Sequence, residues 1–142
     1  MEAKLILQPV FVVGLLTVVM TIWMFVTRIP AMSKLKIHPQ KGQDTSKLRD
    51  LLPKEVSRVS NNYNHLFEQP TLFYAVAISI AVLGHVDSLH IGCAWAYAVL
   101  RISHSIVQAT IDLVMARFIL FILSWLVLIV MVIREALAVF GL

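Results

Sequence analysis

Residues 5–26 read LILQPVFVVGLLTVVMTIWMFV, and Gln8 is the one strongly polar side chain among these 22 positions. A helix rises about 1.5 Å per residue, so this stretch is long enough to cross the roughly 30 Å hydrocarbon core of a bilayer. Three further apolar stretches follow, one ending at Gly84, one from about Leu89 to Ala109 and one from about Leu113 to Ile133. Because continuous apolar runs span membranes as helices, the sequence predicts four transmembrane helices.

The composition of the whole chain agrees with this interpretation. Of 142 residues, 59% are hydrophobic and 14% are charged, and the mean hydropathy is +0.84. A water-soluble domain usually has about 25% charged residues, so a soluble globule and a disordered chain are both excluded. We therefore predict an all-α integral membrane four-helix bundle forming one domain over residues 1–142. Its helices should lie at about 5–27, 54–84, 89–110 and 113–140, with a cytoplasmic loop at about 28–53.

The loops differ sharply in basic residues, which predicts the orientation of the chain. The loop of residues 84–88 has no lysine or arginine. The segment of residues 28–58 holds eight: Arg28, Lys34, Lys36, Lys41, Lys47, Arg49, Lys54 and Arg58. Basic loops stay in the cytoplasm, so both termini should face the opposite side. The net charge of +4 thus concerns topology, and we expect no nucleic-acid partner.

Several ionisable residues fall inside the predicted helices at similar depth, in the cytoplasmic half. A charge near the bilayer centre costs about 2.5–3.5 kcal/mol on insertion scales, so each needs a reason. Helical spacing places them in stripes. The stripes are Arg58, Asn61, His65 and Glu68 on the second helix, Tyr97, Arg101, His104 and Gln108 on the third, and Arg117, Phe121 and Ser124 on the fourth. Arg28 ends the first helix on the same side.

Arg28, Arg101 and Arg117 carry three positive charges at this depth, and Glu68 carries one negative charge. The excess positive charge indicates a site for an anionic ligand. The alternative is a network of buried ion pairs that fixes helix packing. A metal site is disfavoured, because only His65, Glu68 and His104 could contribute ligands and their spacing matches no metal motif.

Two of these stripes also resemble the motifs of a known family. Residues 61–70 read NNYNHLFEQP and, with the following Leu72-Phe73-Tyr74, resemble the second-helix signature of the MAPEG family. These are the membrane-associated proteins of eicosanoid and glutathione metabolism. The stretch from Arg101 to Ser105, RISHS, resembles the family's Arg-x-x-His-Ser/Thr motif. Arg28 and Arg117 match arginines at the end of the first helix and the start of the fourth, and the Glu-x-Pro spacing is most similar to bacterial members.

The resemblance implies a homotrimer of four-helix subunits, with glutathione bound between neighbours near the cytoplasmic face. It implies that glutathione contacts Arg28, Glu68, Arg101, His104 and Arg117. Arginines suit the carboxylates of this anionic tripeptide, and Glu68 suits its amine. The predicted binding set also includes other polar members of the stripes, namely Asn61, His65 and Gln108.

The chain departs from the catalytic members at four positions. His65 replaces an asparagine three residues before the glutamate, and Phe118 replaces a serine that some members place beside the thiol. Phe121 and Gln108 stand where some members have tyrosine. The sequence therefore supports glutathione binding more strongly than turnover.

Transfer of glutathione requires a thiolate, whereas a free cysteine thiol has a pKa of about 8.5. Lowering that pKa by two units takes about 2.7 kcal/mol, and a charge-assisted hydrogen bond supplies about 1.5–3 kcal/mol. We predict Arg117 as the catalytic donor and Ser124 as a second donor, the alternative for Ser124 being a bond to its own backbone. The leading hypothesis is an inner-membrane transferase or peroxidase acting on lipophilic electrophiles that enter from lipid. The alternative is a non-enzymatic glutathione-binding or structural trimeric protein.

Overall fold

A computed structural model describes residues 2–142, which are helical with short connections and contain no strand. Its α-helices are α1 (Ala3–Lys34), α2 (Thr45–Leu51), α3 (Lys54–His65), α4 (Gln69–Leu83), α5 (Ser88–Ala109) and α6 (Val114–Phe140). A 3₁₀ helix, Pro39–Gln43, lies between α1 and α2. The predicted all-α class is therefore confirmed.

Three segments are long and apolar enough to cross a membrane: α1, the stretch Lys54–Leu83 that contains α3 and α4, and α6. The fourth predicted span, α5, is not among them. It carries His90, Arg101, His104 and Gln108, and their side chains are buried against other parts of the protein. The expectation of four apolar spans thus holds for three helices, since α5 is too polar to face lipid on all sides.

The single helix expected over residues 54–84 is divided in two. The first part ends at His65, and the second begins at Gln69, with Pro70 in its first turn. A proline has no N–H to donate, and its ring clashes with the carbonyl four residues earlier, which here belongs to Leu66. The backbone therefore leaves the helical path between Leu66 and Glu68, where Glu68 has φ −96° and ψ −98°.

The first helix and the loop after it also differ from the prediction. The first helix continues to Lys34, about two turns beyond the expected end, and its 32 residues extend roughly 48 Å. The segment expected as a loop at 28–53 contains α2, whose N-terminus is capped by the Asp44 side chain accepting from the Ser46 N–H. Leu48 and Leu52 are buried, and the Ser57 hydroxyl of α3 donates to the Arg49 carbonyl of α2 at 3.1 Å.

The core lies where the long helices meet. Helix α5 packs against α1, α3 and α6, and α4 packs against α1 and α6. One cluster contains Phe73, whose ring stacks on Tyr97 with centroids 4.2 Å apart, and a second contains Met24, Val59 and Leu66. Large apolar side chains also cover the outer surface, for example Phe11, Val82 and Phe140. An outer surface covered by apolar side chains is what a lipid environment requires.

Replacing Phe73 by alanine should weaken the bundle, because the side chain is fully buried and its loss opens a cavity against Tyr97. We expect the free energy of unfolding to fall by about 3 kcal/mol, the lower end of the range for buried phenylalanines. Thermal unfolding of the protein in detergent would measure this. Phe11→Ala is the control, since Phe11 faces outward, and an equal loss in both variants would contradict the predicted packing.

Candidate functional site

The polar stripe of α5 forms the centre of the candidate site. Arg101, His104 and Gln108 recur at steps of three and four residues, so they share one helix face, and all three are buried. This face is turned toward the neighbouring helices rather than outward. The membrane therefore does not solvate these groups, and their partners must come from the protein or from a ligand.

Arg101 is 1% exposed and is the largest fully buried side chain. Its Nη1 donates to Oε1 of Gln69 at 3.2 Å, and the same oxygen accepts from the Tyr97 hydroxyl at 3.3 Å. Its Nε and Nη2 have no hydrogen-bond partner, and no carboxylate within residues 2–142 forms an ion pair with it. A buried guanidinium with one neutral partner is a strong site for an anion.

Gln69 was not among the predicted site residues. It begins α4 immediately after Glu68, and the break in the helix at residues 66–68 directs it into the core rather than along the expected stripe. In the sequence, Pro70 could have indicated that Gln69 points into the core. A proline favours the first turn of a helix, so the chain is expected to change direction just before it.

His65 and Glu68 lie next to His104, which is one residue of this centre. The His65 Nδ1 and Glu68 Oε2 atoms are 3.1 Å apart, and the rings of His65 and His104 meet edge to face with centroids 6.1 Å apart. The Glu68 side chain is 64% exposed, so its carboxylate is accessible to a ligand.

A cavity of about 200 Å³ opens next to the two histidines. Its polar wall consists of His65, His104 and Arg117, and its apolar wall of Val114, Phe118 and Phe121. Arg117 forms an ion pair with Asp112 in the turn before α6, while its Nε has no partner. The cavity thus combines hydrogen-bonding and cationic groups with an aromatic surface.

Arg28 and Asn61 belong to a different pocket, of about 80 Å³. The Arg28 Nη2 donates to the Ser60 hydroxyl, and Arg49 lines the same pocket. The remaining lining residues are hydroxyl or amide side chains: Thr45, Ser46, Ser57 and Asn64. The predicted polar layer is therefore divided into two groups, and the second is also basic with no carboxylate in its wall.

The remaining predicted residues lie outside both pockets. Ser124 donates to the backbone carbonyl of Leu120 at 2.7 Å, the arrangement weighed above as the alternative to a catalytic role. Gln108 is buried with its Oε1 unpartnered. Asn62 was not predicted, yet it is fully buried with both side-chain polar atoms unpartnered. The burial of Asn62 could have been predicted from its spacing, because Val59, Asn62 and Leu66 lie on one helix face.

The fold and the site define an all-helical integral membrane protein with a buried cationic centre. The sequence model of the MAPEG family matches residues 6–137, so the chain belongs to this family. Searches of curated proteins and of solved structures give no match. Membership makes the chain, at family level, a membrane protein related to glutathione and eicosanoid metabolism.

Substituting Gln69 by leucine, which has a similar size, should destabilise the protein. The change removes the one hydrogen-bond acceptor that Arg101 contacts within residues 2–142, and an unsatisfied buried polar group costs about 1–3 kcal/mol or more when charged. Thermal unfolding in detergent would detect the loss. Gln40→Leu, at an exposed position between α1 and α2, is the matched control and should be neutral. Unchanged stability in Gln69→Leu would argue against the Arg101 contact.

Proposed function

We propose that this protein binds glutathione at the centre formed by Arg101 and uses it as a membrane transferase or peroxidase for lipophilic electrophiles. The observation that carries the proposal is the buried Arg101 guanidinium, whose one hydrogen-bond partner within residues 2–142 is a neutral amide. Such a cation is stabilised best by a carboxylate, and glutathione has two. Membership in the MAPEG family supports glutathione as the source of that carboxylate.

The charges around the site complement the other groups of glutathione. Glu68 has an exposed carboxylate, which suits the single amine of the tripeptide. His104 and His65, whose rings meet edge to face, offer further ring nitrogens. Arg28 and Asn61, in the second pocket, suit the remaining carboxylate when glutathione lies between neighbouring subunits.

In the proposed reaction, the Arg117 guanidinium stabilises the glutathione thiolate in the cavity. The thiolate sulfur then attacks an electrophilic carbon, the sulfur–carbon bond forms, and the leaving group departs with its electron pair. Phe118 and Phe121 supply the apolar wall against which the electrophile rests, and Phe118 is exposed enough to face lipid. For Ser124 to assist, its hydroxyl would have to release the Leu120 carbonyl.

The proposed setting is a homotrimer in a bacterial inner membrane, with the termini on the periplasmic side. The eight basic residues of segment 28–58 support this orientation through the positive-inside rule. The same segment borders the Arg28 pocket, so glutathione would reach the site from the cytoplasm.

One observation favours a second candidate, a non-enzymatic glutathione-binding or structural trimer. Arg117 is already paired with Asp112, and its aromatic neighbours in the cavity, Phe118 and Phe121, have no hydroxyl to donate to a thiol. A site of this kind would hold glutathione without activating it. Alternatively, the polar layer would mainly hold the subunits together.

Arg101→Ala and Glu68→Ala should each lower glutathione affinity at least tenfold while the trimer persists, because each removes a charged contact and tenfold corresponds to about 1.4 kcal/mol. Isothermal calorimetry on the protein in detergent, with size measured in parallel, would test this. Arg134→Ala and Glu55→Ala are the controls, the first at the opposite end of the bundle and the second at an exposed position. Dissociation of the trimer in the site variants would favour the structural candidate. No binding by the unmodified protein would refute glutathione as the ligand.

The Arg117→Ala variant tests activation of the glutathione thiol separately from glutathione binding. We expect this variant to retain glutathione but to lose the ultraviolet absorbance of the bound thiolate, since it removes the donor that lowers the thiol pKa. Difference spectra of the glutathione complex would record the loss. If the unmodified protein binds glutathione without a thiolate signal, the transferase proposal fails and the non-enzymatic candidate stands.

A further inference from the structure

Glu135, on α6, is a buried carboxylate at the end of the bundle opposite the candidate site. It is 5% exposed. Its Oε1 is 2.9 Å from Nδ1 of His85, in the turn between α4 and α5. Its Oε2 is also buried and has no hydrogen-bond partner in the described part of the chain, residues 2–142. Half of this carboxylate is therefore unsatisfied, although burial of a carboxylate is costly without partners.

The neighbouring charged groups cannot complete the coordination of Glu135, because they are paired with one another. Arg134 forms an ion pair with Asp87, and its Nη1 donates to the Asp87 Oδ1 at 2.9 Å. The same Asp87 oxygen accepts from the His90 backbone N–H at 2.9 Å and caps α5. Neither Arg134 nor Asp87 supplies a donor to Oε2, and the buried Nε2 of His90 in the same cluster also has no hydrogen-bond partner among residues 2–142.

A groove of about 410 Å³ between α4 and α6 leads to Glu135. Its wall is mostly apolar and includes Ala75, Val132 and Ala136. Ser79 also lines it, but the Ser79 hydroxyl donates to the Ala75 carbonyl at 2.8 Å. Glu135 is therefore the one charged residue of the groove, and small side chains leave space beside it.

The position of the groove matches one leaflet of a bilayer. Glu135 lies five residues before the end of α6 at Phe140, roughly 7.5 Å along the helix axis. Ala75 lies nine residues before Gly84, roughly 13.5 Å inward from the end of α4. A molecule in the groove thus meets a carboxylate near the membrane boundary and apolar side chains deeper in the hydrocarbon region.

We propose that this groove binds an aminophospholipid, whose primary ammonium donates to Glu135 Oε2 while an acyl chain follows the apolar wall toward Ala75 and Val132. The charge complementarity selects this occupant: a primary ammonium has three N–H donors, whereas a choline headgroup has none and is bulkier. His85 holds the other carboxylate oxygen, so the acceptor is oriented before the lipid arrives. The site shares no residue with the proposed glutathione site.

Native mass spectrometry of the protein in detergent, titrated with phosphatidylethanolamine or with phosphatidylcholine of identical acyl chains, tests the proposal. The unmodified protein should retain phosphatidylethanolamine at least tenfold more strongly. Glu135→Gln should remove this preference, because the amide presents no negative charge to the ammonium. Ala136→Leu should weaken retention by filling the groove, without altering any charge. Glu55→Gln, at an exposed position on α3, is the matched control and should behave as the unmodified protein does.

Equal retention of the two lipids by the unmodified protein would overturn the proposal, as would a preference that survives in Glu135→Gln. If Glu135→Gln does not fold, the Ala136→Leu variant is the deciding test: weaker retention of phosphatidylethanolamine supports the groove, and unchanged retention overturns it. Displacement of the lipid by soluble ethanolamine at equal concentration would show that the acyl chain contributes nothing and would overturn the lipid assignment. Disulfide formation between two copies of the Ser79→Cys variant would place a second subunit over the groove. That result would also overturn the lipid assignment.

Discussion

Burial of the polar face of α5 is the constraint on which the rest of the bundle depends. A helix that carries Arg101, His104 and Gln108 on one face is too costly to expose to hydrocarbon, so other helices must cover that face. Helices α1, α3 and α6 pack against α5, and the apolar outer surfaces of α1 and α6 face lipid in its place. Among the four longest helices, α1, α4, α5 and α6, the least hydrophobic one, α5, is therefore the most enclosed. The same enclosure removes water from Arg101 and makes it a strong anion site.

The sequence was sufficient for the helical class, the membrane environment and the family, because each follows from long apolar runs and from motifs at fixed spacing. It was less reliable at prolines. Pro9 and Pro30 lie inside α1, which continues through them, whereas Pro70 begins a new helix. A proline inside a helix removes one backbone hydrogen bond, whereas a proline in the first turn removes none. Whether the helix then bends or ends depends on what the neighbouring helices offer to the freed carbonyl, which is tertiary information.

The structure divides residues of the predicted polar layer between two pockets, a grouping that was not predicted. The stripe containing Asn61 and Glu68 assumed one straight helix over 54–84, and the break at residues 66–68 rotates the parts relative to each other. Asn61 therefore lies with Arg28 in a separate pocket, while Gln69 reaches Arg101. Side-chain directions beyond such a break cannot be derived from helical periodicity. Residues on the unbroken α5, by contrast, share the face that their spacing indicates.

The two ends of the bundle carry unsatisfied charges of opposite sign, and this has a thermodynamic consequence. Among the residues that the structure describes, Arg101 has no anionic partner toward one end, and Glu135 has no second donor at the other. A ligand that binds only the folded protein stabilises it by RT ln(1 + L/Kd), where L is the free ligand concentration. On the proposed assignments, glutathione and an aminophospholipid would each raise the unfolding temperature through separate contacts. Because the two sites share no residue, these effects should add, and a strict dependence of one on the other would require coupling through the helices that join them.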